Sequence, residues 1–90
     1  MPEDLPVVVA PAGEVWLPEL IVAAGFAKSN GEARRLIENG GVSYDDAKIT
    51  DAKAKVEVSE AARVLKCGKR NFAEIRAGET ADGKPRLLVR

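Results

Sequence analysis

Residues 28–42, KSNGEARRLIENGGV, combine a helix start, a cationic helix face and the beginning of a strand. Ser29 and Glu32 have the S-x-x-E spacing of a capping box, in which the two side chains satisfy backbone amides of the first helical turn. The spacing therefore predicts a helix that begins at residue 30. Asn39 and the two glycines after it end that helix, because these residues accept left-handed backbone geometry, and Val42 opens an extended run.

This predicted helix has an apolar side and a cationic side. The apolar stripe recurs at i, i+3 and i+4 and consists of Ala33, Leu36 and Ile37. Arg35 lies nearly opposite the stripe and Arg34 lies on its flank, since successive residues are rotated by about 100°. Both arginines are therefore expected to face water beside Lys28. For Arg34 a second interpretation stays open, an ion pair with Glu38 one turn further on.

The rest of the chain predicts a second helix and several short strands. Pro18 suits the first turn of a helix that runs to about Ala24. Short runs with strand character follow the cationic helix, at 42–44, 48–50, 56–58, 62–67 and 71–76. The pattern indicates an α+β fold with two helices packed on one face of a small, twisted antiparallel sheet.

Three segments are expected along the chain. Residues 1–14 contain three prolines and a glycine, which favours an extended, linker-like lead, with 7–10 as an optional edge strand. Residues 15–77 form the folded domain. Residues 78–90 carry an Asp-Gly turn and end as either a returning edge strand or a tail.

Composition narrows the function classes. The formal net charge is zero, but residues 1–27 contain four acids and no base, whereas residues 66–76 contain four bases and one acid. A cationic patch is thus compatible with a neutral chain.

The single cysteine, Cys67, is interpreted as a buried packing residue in a reducing, cytoplasmic compartment. The absence of histidine argues against Cys/His zinc sites and against catalytic triads that use histidine. No other metal site is expected, because Asp45 and Asp46, the adjacent acids, are typical turn residues.

The sequence also resembles a known family. Residues 20–29, 32–37 and 40–42 are similar to the core of the S-four RNA-binding domain, and residues 65–72, LKCGKRNF, resemble the hairpin of its version at the C-terminus of bacterial-type tyrosyl-tRNA synthetases. The resemblance covers roughly residues 16–76. One departure is that Asp45-Asp46 replaces the Val-Asn-Gly turn usual in the family, and two acids there would repel phosphate.

The resemblance implies a domain that binds structured RNA, specifically a tyrosine-specific tRNA, and that is joined in cis to catalytic domains. It implies no catalysis and no cofactor in this chain, with ATP and Mg²⁺ used by the parent enzyme; no membrane association is expected. The RNA-binding residues are expected on the helix start, the helix face and the hairpin: Lys28, Ser29, Asn30, Arg34, Arg35, Lys66, Lys69 and Arg70.

Other interpretations of the same residues remain. Exposed arginines and lysines are often only a solvated face, and charges in a hairpin turn are common. Trp16 either stacks on a base or covers the core before a helix. At the level of the whole chain, the alternatives are a stand-alone ribosome-associated S-four protein, the RNA-binding part of a pseudouridine synthase, or a protein-interaction module.

Overall fold

The computed structural model describes residues 5–68, 71–81 and 83–88. It contains two helices, α1 (Leu17–Ala23) and α2 (Asn30–Glu38). The strands, in chain order, are β1 (Val7–Ala10), β2 (Gly13–Trp16), β3 (Val42–Tyr44), β4 (Ala47–Ile49), β5 (Lys55–Val58), β6 (Arg63–Cys67), β7 (Asn71–Ala77) and β8 (Arg86–Leu88).

The strands form two sheets. Six of them form one sheet in the order β4-β3-β6-β7-β1-β8, and β2 pairs with β5 in a separate two-stranded sheet. All pairs are antiparallel except β1 with β7, which is parallel. The fold class predicted from the sequence, α+β with two helices on a small sheet, is confirmed, and the larger sheet is mixed because of this one parallel pair.

One face of the six-stranded sheet supplies the core. Side chains alternate along each strand, so Leu65 and Cys67 of β6 point inward while Lys66 between them points to solvent. The inward side chains form one buried cluster with Leu20 of α1 and Ile37 of α2. Cys67 is a free, buried cysteine, which confirms its interpretation as a packing residue. The helices therefore cover one face of this sheet and leave the other face uncovered.

Tyr44 connects the two sheets. Its ring is buried, and its hydroxyl donates a hydrogen bond of 2.8 Å to the backbone carbonyl oxygen of Glu57 in β5. Burial of the phenol disfavours its charged form and raises the pKa of Tyr44 to about 12, although the nearby Arg63 guanidinium acts in the opposite direction. The hydroxyl therefore stays protonated and donating across the physiological pH range.

α2 ends in a turn that depends on a glycine. The amides of Gly40 and Gly41 donate to the carbonyl oxygens of Ile37 and Leu36, and Gly40 has a φ of +78°. This is the Schellman arrangement, in which a glycine in the left-handed region lets the chain reverse and satisfies the last helical carbonyls. The chain passes directly from this turn into β3, so the C-terminal end of α2 lies beside the sheet.

The N-terminal segment differs in part from the sequence expectation, and the C-terminal segment takes one of its two predicted forms. Residues 7–10 form β1, the strand predicted there as an option, but β1 lies inside the sheet and not at its edge, with Val8 and Ala10 fully buried between β7 and β8. Residues 13–16 form β2, so the expected boundary near residue 14 falls inside a strand. Residues 86–88 form β8, which lies at the edge of the sheet against β1 and corresponds to the predicted returning edge strand. Prolines at 6 and 11 flank β1 without occupying it, so the strand keeps its backbone amides for pairing.

Candidate nucleic-acid interface

The start of α2 is capped from both sides. The Ser29 hydroxyl accepts a hydrogen bond of 3.2 Å from the Glu32 amide, as the capping box predicts. In return, the Glu32 carboxylate accepts a 3.4 Å hydrogen bond from the amide of Lys28, one residue earlier than the box would place it. The first turn of the helix is therefore fixed, and Lys28, Ser29 and Asn30 are held at its exposed N-terminal end.

Arg34 and Arg35 project from the solvent side of α2. Ala33 and Ile37 are 0% exposed in the core, whereas both arginines are exposed. Neither arginine forms an ion pair within 4.0 Å with any residue in the described part of the chain, so the alternative Arg34–Glu38 bridge is not formed. Their guanidinium groups are thus available for an external anion.

The local charge of this helix is only moderately positive. Three cations, Lys28, Arg34 and Arg35, stand against the exposed carboxylates Glu32 and Glu38. The carboxylate of Glu32 is occupied by a backbone amide, and it lies in the first turn, where the helix dipole favours negative charge. The amides of the first turn have no intrahelical acceptors and add partial positive charge at the same end. We name this surface, comprising Lys28, Ser29, Asn30, Arg34 and Arg35, the α2 patch.

The hairpin between β6 and β7 begins next to the other end of α2. The amide of Gly68, the first residue of its turn, donates a 2.6 Å hydrogen bond to the carbonyl oxygen of Gly41. The hairpin turn and the C-terminal end of the helix are therefore neighbours, which sequence reasoning could not establish. The predicted contacts Lys69 and Arg70 lie outside the described residues.

Lys48 is a cation at this junction that sequence reasoning missed. A Cβ atom on Gly40 would lie 3.1 Å from Cε and 3.3 Å from Nζ of Lys48, so the lysine side chain crosses the last turn of α2. A cation there interacts favourably with the negative end of the helix dipole. No signal near Lys48 in the sequence indicates this position, because it results from the β3–β4 hairpin folding back onto the helix end.

Lys66 is placed on a different face from the α2 patch. It is exposed on the uncovered side of the six-stranded sheet, and its Nζ lies 5.7 Å from the centre of the Phe72 ring on β7. This distance is within the range of a cation–π contact. The structure thus brings five of the predicted residues together on α2 and its cap, and sets Lys66 apart from them around the hairpin.

The remaining candidates have structural explanations. Asp45 and Asp46 form the turn between β3 and β4, both with positive φ, and the Asp45 carboxylate accepts a 2.5 Å hydrogen bond from Arg63. Trp16 lies at the end of β2, immediately before α1, and is 42% exposed. Among the described residues, no group of three or more His, Cys, Asp or Glu side chains lies where it could hold a metal ion.

A capped helix that exposes unpaired arginines next to a hairpin turn, on a two-helix α+β scaffold, defines a small domain with a surface suited to anionic ligands. Comparison with known proteins gives the family. Residues 1–75 match the family model of the tyrosine–tRNA ligase SYY-like C-terminal domain, and the chain belongs to this family. The resemblance recognised in the sequence is thereby confirmed.

Curated relatives agree with this assignment. A tyrosine–tRNA ligase of Moorella thermoacetica is 47% identical over 75 residues, which cover 83% of this chain and 18% of the relative. A tyrosine–tRNA ligase of Syntrophotalea carbinolica is 46% identical over 78 residues (84% and 19%), and one of Thermotoga maritima is 42% identical over 80 residues (89% and 20%). The chain spans about a fifth of the length of the relatives it matches. Within the described residues, no helix has the length and apolar character needed to cross a membrane.

Proposed function

We propose that this domain binds tRNA, and in a ligase of this family tyrosine-specific tRNA, through the α2 patch. The observation that carries the proposal is that the Arg35 guanidinium is exposed on a well-anchored helix. Its helix is anchored by two fully buried side chains on one side, and its guanidinium faces solvent on the other without an internal partner. An arginine in this position is held on a rigid support and is free to bind.

The chemistry of the patch suits a phosphate backbone. Guanidinium groups bind phosphate oxygens through two parallel hydrogen bonds, and the free amides at the start of α2 add donors for a second phosphate. Contacts of this kind bind the phosphate backbone and carry no sequence information directly. The patch is therefore suited to recognising the shape and backbone of a folded RNA, as proteins that bind double-stranded RNA regions do.

Lys48 and the hairpin turn extend this surface. Lys48 crosses the C-terminal end of α2, and Gly68 anchors the hairpin turn at the same end. An RNA strand that follows the exposed side of the helix therefore meets cations at both ends. Lys69 and Arg70, which the sequence predicts to bind RNA, follow Gly68 directly in the chain. In this proposal they contribute two further positive charges to the RNA-binding surface.

The proposed role is binding without catalysis. The chain contains no histidine and no glycine-rich phosphate loop, and its described residues contain no acidic cluster that would hold Mg²⁺. We assign ATP and Mg²⁺ to the other four-fifths of the ligase, which would be joined to this domain in cis. The purified domain is accordingly expected to show no tyrosine-dependent pyrophosphate exchange.

Charge reversal tests the proposal. The double variant Lys28→Glu/Arg35→Glu changes exposed side chains only, so its thermal melt should match that of the wild type. Its affinity for tyrosine-specific tRNA should fall at least tenfold, because two phosphate contacts are replaced by repulsion. Lys55→Glu is the matched control, since Lys55 is an exposed lysine in the two-stranded sheet. Equal tRNA affinity of the wild type and a folded double variant would refute the proposal and favour a protein-interaction module.

A further inference from the structure

We infer that the uncovered face of the six-stranded sheet holds one unpaired nucleotide of the bound RNA, with its base against Phe72 and its phosphate at Lys66. The inference rests on the proposed RNA binding but concerns a different surface from the α2 patch. It is carried by a hollow of about 650 Å³ on this face, lined by Ser43, Asp45, Asp46, Ala62, Val64, Lys66 and Phe72. This volume lies within the range of sites for small ligands, roughly 300 to 1,000 Å³.

The strand register brings the necessary groups together. Ser43 of β3 lies opposite Lys66 of β6, and Lys66 lies opposite Phe72 of β7. These three side chains point away from the core, because the residues on either side of each are directed inward or end the strand. A hydroxyl, an ammonium group and an aromatic ring therefore form one row across three neighbouring strands.

Phe72 is the stacking element. Its ring is partly exposed on a sheet face that no helix covers, and the ammonium of Lys66 lies 5.7 Å from its centre. An aromatic side chain on an open sheet, accompanied by a cation, is the arrangement on which single-stranded bases stack. A paired base cannot use it, because its faces are already covered by neighbouring base pairs.

The charges around the hollow are distributed unevenly. At one end Lys66 supplies a positive charge. At the other end the β3–β4 turn supplies two carboxylates, of which Asp45 is paired with Arg63 at 2.5 Å, whereas Asp46 has no ion-pair partner within the described chain. The backbone amide of Asp45 donates to the carbonyl oxygen of Val64, two residues from Lys66, so the two ends are separated by about 7 Å of strand.

This separation of charge complements a nucleotide. A phosphate at Lys66 meets a cation, while the base stacks beside it on Phe72, two strands away from the β3–β4 turn. Stacking strength favours the two fused rings of adenine over the single ring of uracil. The acidic turn repels phosphate and so directs the RNA backbone to the Lys66 end of the hollow.

The hairpin between β6 and β7 connects the strands that line the hollow with the C-terminal end of α2. The row containing Lys66 ends near Cys67 and Gly68, and Gly68 is bonded to Gly41 at the end of α2. An RNA whose duplex part lies along α2 can therefore continue past the C-terminal end of the helix and place an unpaired nucleotide on the sheet face. The occupant is consequently an unpaired nucleotide of the same RNA.

Fluorescence anisotropy with labelled 12-nucleotide oligoadenylate and oligouridylate tests the inference. Wild type should bind oligoadenylate more tightly than oligouridylate. Phe72→Leu should weaken oligoadenylate binding about tenfold and reduce the preference for adenine, because the stacking surface is lost, and Lys66→Gln should weaken both oligomers, because a phosphate contact is lost. Lys55→Gln is the control for loss of one positive charge, and thermal melts check that each variant folds.

Each of these measurements either supports or contradicts the nucleotide site. Unchanged oligoadenylate affinity in folded Phe72→Leu, or unchanged affinity for both oligomers in folded Lys66→Gln, would overturn the inference, as would a wild type that does not distinguish the two oligomers. The α2 patch is judged separately by tRNA binding of Lys28→Glu/Arg35→Glu. A protein that binds tRNA through α2 but treats both oligomers alike would retain the proposed function and lose only the nucleotide site.

Discussion

Replacing Tyr44 by phenylalanine tests how the two sheets are held together. The substitution keeps the buried ring but removes the hydroxyl that donates to the Glu57 carbonyl oxygen at 2.8 Å. That oxygen then loses its partner in a partly buried position. The free energy of unfolding at pH 8 should therefore fall by about 1 to 2 kcal/mol.

The same variant should change the alkaline pH dependence of stability. The pKa of Tyr44 is about 12 in the folded protein against an ordinary value of 10.0, so the unfolded chain releases this proton first. Stability from this group is complete below pH 10 and is lost as the pH rises through 12. By pH 11 the wild type should have lost about 1.4 kcal/mol through Tyr44, since one pKa unit corresponds to about 1.4 kcal/mol.

Urea unfolding, followed by the fluorescence of the single tryptophan at pH 8 and pH 11, measures both effects. Other groups titrate alike in the two proteins, so the difference between wild type and Tyr44→Phe isolates the tyrosine. That difference should shrink by about 1.4 kcal/mol between the two pH values. A difference that is the same at pH 8 and pH 11 would refute the assignment of a raised pKa to this hydroxyl.

Three further predictions concern the scaffold. Cys67 is buried and its pKa is raised by that burial, so its thiol should react with iodoacetamide at pH 8 only after denaturant is added; rapid labelling of the native protein would contradict this. Cys67→Ala should lower the free energy of unfolding by about 1 kcal/mol without altering RNA affinity. Gly40→Ala should lower stability in thermal melts by roughly 1 to 2 kcal/mol, because φ at this position is +78° and the new Cβ would press on Lys48. An unchanged melt would show that the turn does not need glycine. The amides of β1 should be protected in hydrogen exchange as strongly as those of β7, whereas exchange at the rate of a free peptide would restore the linker interpretation.

The helices could be predicted from the sequence because their determinants are local. The Ser29 cap, the stripe that buries Ala33 and Ile37, and the glycine stop all lie within a few residues of one another, and the observed helix Asn30–Glu38 follows from them. The exposure of Arg34 and Arg35 follows from the same period. This part of the α2 patch therefore required no knowledge of the tertiary structure.

The features that the sequence missed or left open depend on contacts between distant residues. β1 pairs in parallel with β7, more than sixty residues later in the chain, and no local pattern signals such a partner. The nearby prolines favoured a linker and left the strand only as an option, although they lie outside the strand. Lys48 was missed for the same reason, since its position over α2 depends on the β3–β4 hairpin and on the helix end together.

The salt dependence of tRNA binding tests the central claim most directly. If the α2 patch and the adjoining cations neutralise about four phosphates, the logarithm of the association constant should fall with the logarithm of salt concentration with a slope of roughly −3 to −4. Arg35→Glu should make this slope shallower by about 1, and Lys55→Glu should leave it unchanged. A wild-type slope near zero, or an identical slope for a folded Arg35→Glu protein, would contradict the account.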